Sequence, residues 1–358
     1  MTEIENILQK TVSDNNAPSI QYTLFDKDSI IKKYCLGLGD ISGNKKISDK
    51  TTYNAYSVTK TFTALAILQL AEQKKIDIEQ PVKKYLPDFP YSVNITIRQL
   101  LSHSAGIPNP IPLNWIHLAI EHKSFDRNQF FKDIFFKNNK TKSQANETFA
   151  YSNLGYVLLG QFIEKVTGTS YEQYIKENII HRLGLKNDEL DFEIPDPDLH
   201  AKGYHKKLSI TNLILGFFID KSKYMGKAEG IWKPFNNFYV NGTSYGGLIG
   251  TPDAFVKYIQ ELLKPDNCLL SDDYKKMMFT ENHTTNNKAT KMCLSWFSGQ
   301  LHGIKYFTHA GGGGGYYCEI RIYPENGIGS VCFFNRTGMS DERFLDKVDR
   351  FYFDSHKR

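Results

Sequence analysis

The chain has no apolar run long enough to cross a bilayer. Its longest apolar stretch outside the helical patterns, Leu208 to Ile219, falls short of the ~20 residues that a span requires. The N-terminal stretch Met1 to Ile20 carries charges and no apolar core of a secretory signal, so a cytoplasmic protein is expected, or an exported one whose leader has been removed. A block of basic residues is also missing. The formal charge of +5 comes from 44 basic against 39 acidic residues with the lysines scattered, which excludes the clustered basic face of a nucleic-acid binder. Five cysteines, Cys35, Cys268, Cys293, Cys318 and Cys332, share no metal-ligand spacing, and an odd number cannot all pair within one chain, so reduced and mostly buried thiols are expected. His181, His200, His205, His283 and His302 show no ligand spacing either, and neither a metal site nor a cofactor is expected.

What is present describes a globular protein with a large core. A length of 358 residues exceeds the usual single compact core, which predicts one large domain with an inserted lobe and a cleft between the two. Residues 3 to 13 read as a helix, and Ser19 to Phe25 and Ile30 to Leu36 as a hairpin around Asp26-Lys27-Asp28. From Lys60 to Ala71 apolar residues occupy nearly every side of a helix, which predicts burial all round. Asn153 to Val166, stopped by Thr167-Gly168, and a segment opened by Ser170 read as two more helices. Thr251-Pro252-Asp253 is a helix start, leading into the apolar face Phe255, Tyr258, Ile259 and Leu262. Strand character returns at Cys293 to Phe297, Ile304 to His309, Tyr316 to Tyr323 and Ile328 to Phe334, before a closing helix near 341 to 352. The fold class is therefore α+β, an antiparallel sheet built from both chain ends and flanked by helices, with a mainly helical insertion. Its sheet lobe takes residues 1–56 and about 240–358, and the helical lobe about 57–239.

Three short strings carry chemistry. In Ser57-Val58-Thr59-Lys60 a nucleophile and an amine lie three apart, on one helix face and within reach of each other. A lysine packed into a buried helix loses solvation, which lowers its pKa toward that of a proton acceptor. Tyr151-Ser152-Asn153 opens a helix; Tyr151, near a cation, is expected to exist partly as phenolate, and Asn153 offers a donor and acceptors. By itself this string also suits a capped helix start. His309-Ala310-Gly311 ends a strand and runs into Gly311 to Gly315, where a missing Cβ lets a substrate backbone lie against a strand edge, although a flexible turn has the same composition. The glycine run is not a phosphate loop, because Tyr316 stands where Gly-Lys-Ser/Thr would follow.

In this order and with these flanks the strings resemble the serine beta-lactamase and penicillin-binding-protein family, in its class C-like branch of esterases, D-aminopeptidases and carboxypeptidases. Its motifs are Ser-x-x-Lys, Tyr-x-Asn and Lys/His-x-Gly. Pro81 to Pro87, Leu100 to Ile107 and Tyr245-Gly246-Gly247-Leu248-Ile249-Gly250-Thr251 are similar to its connecting stretches, and the likeness runs from about residue 17 to 335. The resemblance implies that Ser57 is the acylated nucleophile, Lys60 its partner and Tyr151 the base. It places Asn153 on Lys60 and on the acyl side of the substrate, and assigns the oxyanion hole to the backbone N–H groups of Ser57 and Gly312, beside Gly311. The expected reaction is hydrolysis of a small ester, amide or peptide through an acyl-enzyme on Ser57. DD-carboxypeptidase, D-aminopeptidase and beta-lactamase activities are the alternatives within the enzymes, and an acylated sensor that does not turn over is the alternative outside them.

His309 and Ala310 depart from the Lys-Thr-Gly of beta-lactamases. Ala310 removes a hydrogen-bond donor and a mostly neutral His309 weakens recognition of a carboxylate, which shifts the expectation from beta-lactams to esters and amides. His103, in Leu100 to Ile107, reads as structural rather than as a catalytic base. The apolar segment Ile210 to Ile219, with Tyr224, Trp232, Phe235, Phe238 and Tyr239, suits the wall of a pocket for an apolar acyl group, and ordinary core or a dimer surface explains it as well.

Overall fold

The computed structural model describes residues 2–337 and 343–355. Seven antiparallel strands form the main sheet, in the order Phe297–Leu301, Ile304–Gly313, Tyr316–Tyr323, Ile328–Phe334, Ser19–Asp26, Ile30–Asp40 and Lys45–Lys46. The two chain ends meet where Ser19–Asp26 pairs with Ile328–Phe334, Tyr22 opposite Cys332. This is the sheet expected from both termini. One face is covered by the helices Glu3–Ser13 and Phe344–Ser355 through Ile4, Leu8, Leu345 and Val348. Helix Pro252–Leu263 covers the other, where Phe255, Tyr258, Ile259 and Leu262 are all buried. A capping hydroxyl on Thr251, a proline in the first turn and Asp253 start that helix where the sequence places it.

The insertion is built around helix Thr59–Glu72, in which every residue from Thr59 to Ala71 is buried. Its polar side chains reach across to other segments: Thr63 bonds to Tyr171 and to the Ser244 carbonyl, and Gln69 Nε2 donates to the carbonyls of Asn178 and Leu269. Helix Asn153–Thr167 packs alongside; Ser152 caps its start and Gly168, at φ 72°, supplies the left-handed residue that ends it. One buried cluster runs without a break from the sheet, through Ile320 and Phe333, into these helices.

Three expectations are corrected. Cys293–Trp296, which the composition reads as strand, is a buried non-strand segment in which Ser295 has φ 71°, and the edge strand starts only at Phe297. Short strands do occur in the middle of the chain, at Ile116–Leu118 with Phe238–Val240 and at Tyr204–Lys206 with Trp232–Pro234; three residues are too few to show alternation. The closing helix is Phe344–Ser355, and the first two positions expected for it, 341 and 342, lie outside the described residues.

Between the sheet and Phe344–Ser355 lies a charge pair. Arg321, fully buried, donates to Glu319 at 2.6 Å and to Asp346 at 2.6 Å, with the Tyr306 ring 3.9 Å from its guanidinium carbon. Removing one member of such a pair leaves the other charge buried alone, so Arg321→Met is expected to lose about 3–5 kcal/mol in urea denaturation. Glu319→Gln combined with Arg321→Met is expected to recover part of that loss.

Candidate active site

Ser57 lies in a single 3₁₀ turn, Tyr56–Val58, just ahead of the buried helix. Tyr56 enters that turn at φ 44°, a conformation side-chain-bearing residues seldom adopt, and its hydroxyl is buried without a partner. The turn is held from outside: the Ala55 N–H donates to the Leu248 carbonyl at 2.9 Å, and the Leu248 N–H to the Thr59 hydroxyl at 3.1 Å. Strand Ile304–Gly313 approaches from the other side. A Cβ on Gly311 would come within 2.1 Å of the Ala55 carbonyl oxygen and 3.0 Å of the Ser57 nitrogen, so only glycine fits. Gly311 is thereby packed against the turn that carries Ser57. Gly312 has ordinary room, its nearest neighbours lying 3.7 Å from a would-be Cβ.

Lys60 is fully buried. Its amine donates to Ser57 Oγ at 2.9 Å and to the Tyr245 carbonyl at 2.7 Å. The nitrogen lies 5.0 Å from the centre of the Tyr151 ring and 5.2 Å from that of Tyr245. Burial pulls the Lys60 pKa well below the ordinary lysine value. Burial likewise lifts the Tyr151 phenol above its ordinary value, with Ser57 pulling slightly the other way. The partly ionised phenolate expected beside a cation is therefore not favoured. Burial disfavours the charged form of both groups, the Lys60 ammonium and the Tyr151 phenolate alike.

Asn153 is buried, and its backbone N–H donates to Asn109 Oδ1 at 3.0 Å. The hydrogen bond expected between Asn153 and Lys60 is not among the contacts of Lys60, which are Ser57 and the Tyr245 carbonyl. The Asn153 Oδ1 atom is buried without a partner. His103 serves as a support: its Nδ1 accepts the Ser152 N–H at 3.1 Å and its ring lies 4.2 Å from that of Tyr151. That is the structural part expected of it.

His309 is 1% exposed, and its Nδ1 hydrogen-bonds to the Ser295 carbonyl. A carbonyl only accepts, so Nδ1 carries the proton and Nε2 is left as an acceptor. Burial, reinforced by the nearby Lys60, pushes the His309 pKa down to about 3, so the ring is neutral at pH 7. The edge strand's pairing ends at Phe297 opposite Thr308, and His309 to Gly313 extend past it while still paired on their other side with Tyr316–Tyr323. The result is a short open strand edge beside the nucleophile. It borders a cavity of 490 Å³ lined by Phe149, Tyr151, Phe297, His309, Gly311 and Gly312, among others.

Sequence reasoning did not single out Tyr245 or Ser295. Both act through backbone carbonyls, which carry no side-chain signature, although Tyr245 sits in the Tyr245 to Thr251 stretch picked out for its likeness. The apolar segment Ile210 to Ile219 does not wall the cavity: none of its residues lines it, and Ile210, Leu213 and Phe217 are 78%, 68% and 82% exposed.

An antiparallel sheet walled by helices, with a serine–lysine pair at the foot of a buried helix, defines a class of proteins built around one active-site serine. The chain belongs to the beta-lactamase family, whose model matches residues 4–352. It is 25% identical over 307 residues to penicillin-binding protein 4* of Bacillus subtilis, an alignment covering 83% of this chain and 63% of that protein. The chain spans less than two thirds of the length of the curated relatives it matches. In fold it is similar to an octameric penicillin-binding protein homologue from Pyrococcus abyssi, with a TM-score of 0.79 at 24% identity over 98% of this chain and 77% of that one. It is also similar to the D-amino acid amidase of Ochrobactrum anthropi SV3, with a TM-score of 0.77 at 19% identity over 99% of both chains.

Two glycine substitutions separate fold from site. Gly311→Ala is expected to push the strand from the Ser57 turn, lowering the melting temperature and any Ser57-dependent turnover by about a hundredfold. Gly312→Ala, with room for its methyl, is expected to melt with the wild type in the same calorimetric scan.

Proposed function

We propose that this chain is a serine hydrolase acting on small esters or amides through an acyl-enzyme on Ser57. The observation that carries the reading is the fully buried Lys60 amine, hydrogen-bonded to Ser57 Oγ at 2.9 Å, where burial disfavours its charged form. In the first step Lys60 takes the Ser57 proton as Oγ attacks the scissile carbonyl, and the N–H groups of Ser57 and Gly312 receive the developing oxyanion. Tyr151, a neutral phenol beside the amine, passes the proton to the leaving group. Water then releases the acyl group by the same relay in reverse. The whole chain would act as one catalytic unit, with the sheet lobe contributing His309 to Gly312 and the helical lobe Ser57, Lys60, Tyr151 and Asn153.

The binding groups narrow the substrate. His309 offers an uncharged acceptor, Nε2, where a carboxylate would need a cation or a donor, which disfavours beta-lactams. An N–H or O–H on the substrate suits both His309 Nε2 and the unpartnered Asn153 Oδ1. The open edge at His309 to Gly313 suits an extended, amide-containing acyl group, which supports a peptide or amino-acid amide as the second reading beside simple esters.

Parallel turnover of a p-nitrophenyl ester, a D-amino acid amide and a chromogenic cephalosporin tests this. The ester or amide is expected to be the best substrate, and Ser57→Ala to cut its turnover more than about a thousandfold. Retention of full activity by Ser57→Ala overturns the mechanism, and an ester adduct on Ser57 that persists in intact-mass spectra assigns the chain to the acylated sensors. The pH profile follows from the neutral amine being the competent form. As pH rises through the lowered Lys60 pKa, kcat/KM is expected to rise along a single acid limb. His309 is already neutral there, so His309→Gln is expected to leave the position of that limb unchanged.

A further inference from the structure

The hairpin Tyr204–Lys206 with Trp232–Pro234 carries between its strands a segment whose polarity is inverted. Its helix, Ile210–Leu215, turns Asn212 and Leu215 inward; Asn212 Nδ2 donates to the Lys207 carbonyl at 2.7 Å, and the Asn212 backbone carbonyl accepts from the Lys221 amine. Ile210, Leu213 and Ile214 share one face of this helix, Phe217 lies in the turn that follows it, and all four point to solvent with exposures of 78%, 68%, 44% and 82%. Leu208, at 89%, extends it. Isolated exposed apolar residues need no explanation, but a contiguous set on one face marks a surface that is covered in use.

The same segment supplies charge. A cavity of 570 Å³ behind the helix is lined by Lys207, Lys221, Lys227 and Lys233, and no acidic residue is among its lining. An exposed apolar face with lysines on the segment behind it is the arrangement of an interfacial anchor and is complementary to an anionic lipid surface: acyl chains for the leucine, isoleucine and phenylalanine side chains, and headgroup phosphates for the amines. A second copy of this chain would have to bring its own lysines against these.

We propose that the hairpin docks the protein on a bilayer containing anionic phospholipid. The Tyr204 N–H donates to the Gly315 carbonyl at 3.1 Å, in the turn between the strand that carries His309 to Gly312 and its neighbour, so docking fixes the cleft relative to the lipid surface. None of the docking residues belongs to the proposed catalytic machinery. The docking assay therefore reads independently of whether the chain is a hydrolase.

The test is co-sedimentation with phosphatidylcholine vesicles made with and without phosphatidylglycerol. Wild type is expected to pellet with the phosphatidylglycerol vesicles and to be released by salt. Lys207→Gln with Lys227→Gln is expected to weaken partitioning about fivefold for each lysine removed. Leu213→Asp with Phe217→Asp is expected to abolish partitioning, and both variants to keep the wild-type melting curve. Equal pelleting with both vesicle types overturns the proposal, as does vesicle binding that survives Leu213→Asp with Phe217→Asp. A wild-type dimer in light scattering that this variant dissociates, without vesicle binding, overturns it by assigning the face to a second copy.

Discussion

The structure depends on one amine kept out of water. Lys60 sits in a helix with no solvated side, so its charge has nowhere to be screened, and the protein answers with two neutral acceptors, Ser57 Oγ and the Tyr245 carbonyl, and three surrounding tyrosine rings. Burial of the helix is also what lowers the basicity of the amine bonded to Ser57. A half-exposed helix would hold the Ser57–Lys60 spacing equally well, yet leave the amine solvated and its pKa near the ordinary lysine value.

That arrangement needs support from segments far apart in sequence. The Thr243–Gly246 turn supplies the Tyr245 carbonyl to Lys60 and the Ser244 carbonyl to Thr63, while Leu248 locks the residues on either side of Ser57. Strand Ile304–Gly313 closes against Ala55 because Gly311 has no side chain. Ser295, in its left-handed conformation, presents the carbonyl that fixes the His309 tautomer. Sheet and helical insertion are thereby tied together at the nucleophile, and one hydrophobic core passes beneath it.

The contact of Ser57 with Lys60 was legible in the sequence because a short helical spacing determines it, and so was the helix that Ser152 caps beside Tyr151. The sheet was legible because both of its halves are long strands. Contributions made by main chain were not: a carbonyl from Tyr245 or Ser295 looks the same for any residue type. Cys293–Trp296 and Ile210–Ile219 misled for opposite reasons. The first is as buried as a core strand but is bent by tertiary contacts, and the second is as apolar as a pocket wall but faces outward. Burial direction is a property of the assembled fold, and hydrophobicity alone does not carry it.

The early end of the edge strand at Phe297 has a consequence for colloidal behaviour. A sheet with free margins invites strand addition by neighbouring molecules, and proteins usually blunt such margins with charge or brevity. At one margin this sheet does both, ending in the two-residue, lysine-only strand Lys45–Lys46. At the other, the stretch from His309 to Gly313 is paired on one side only and borders a cavity lined by Phe149, Tyr151 and Phe297. Backbone groups that would seed aggregation on an open surface are confined there to guests small enough to enter.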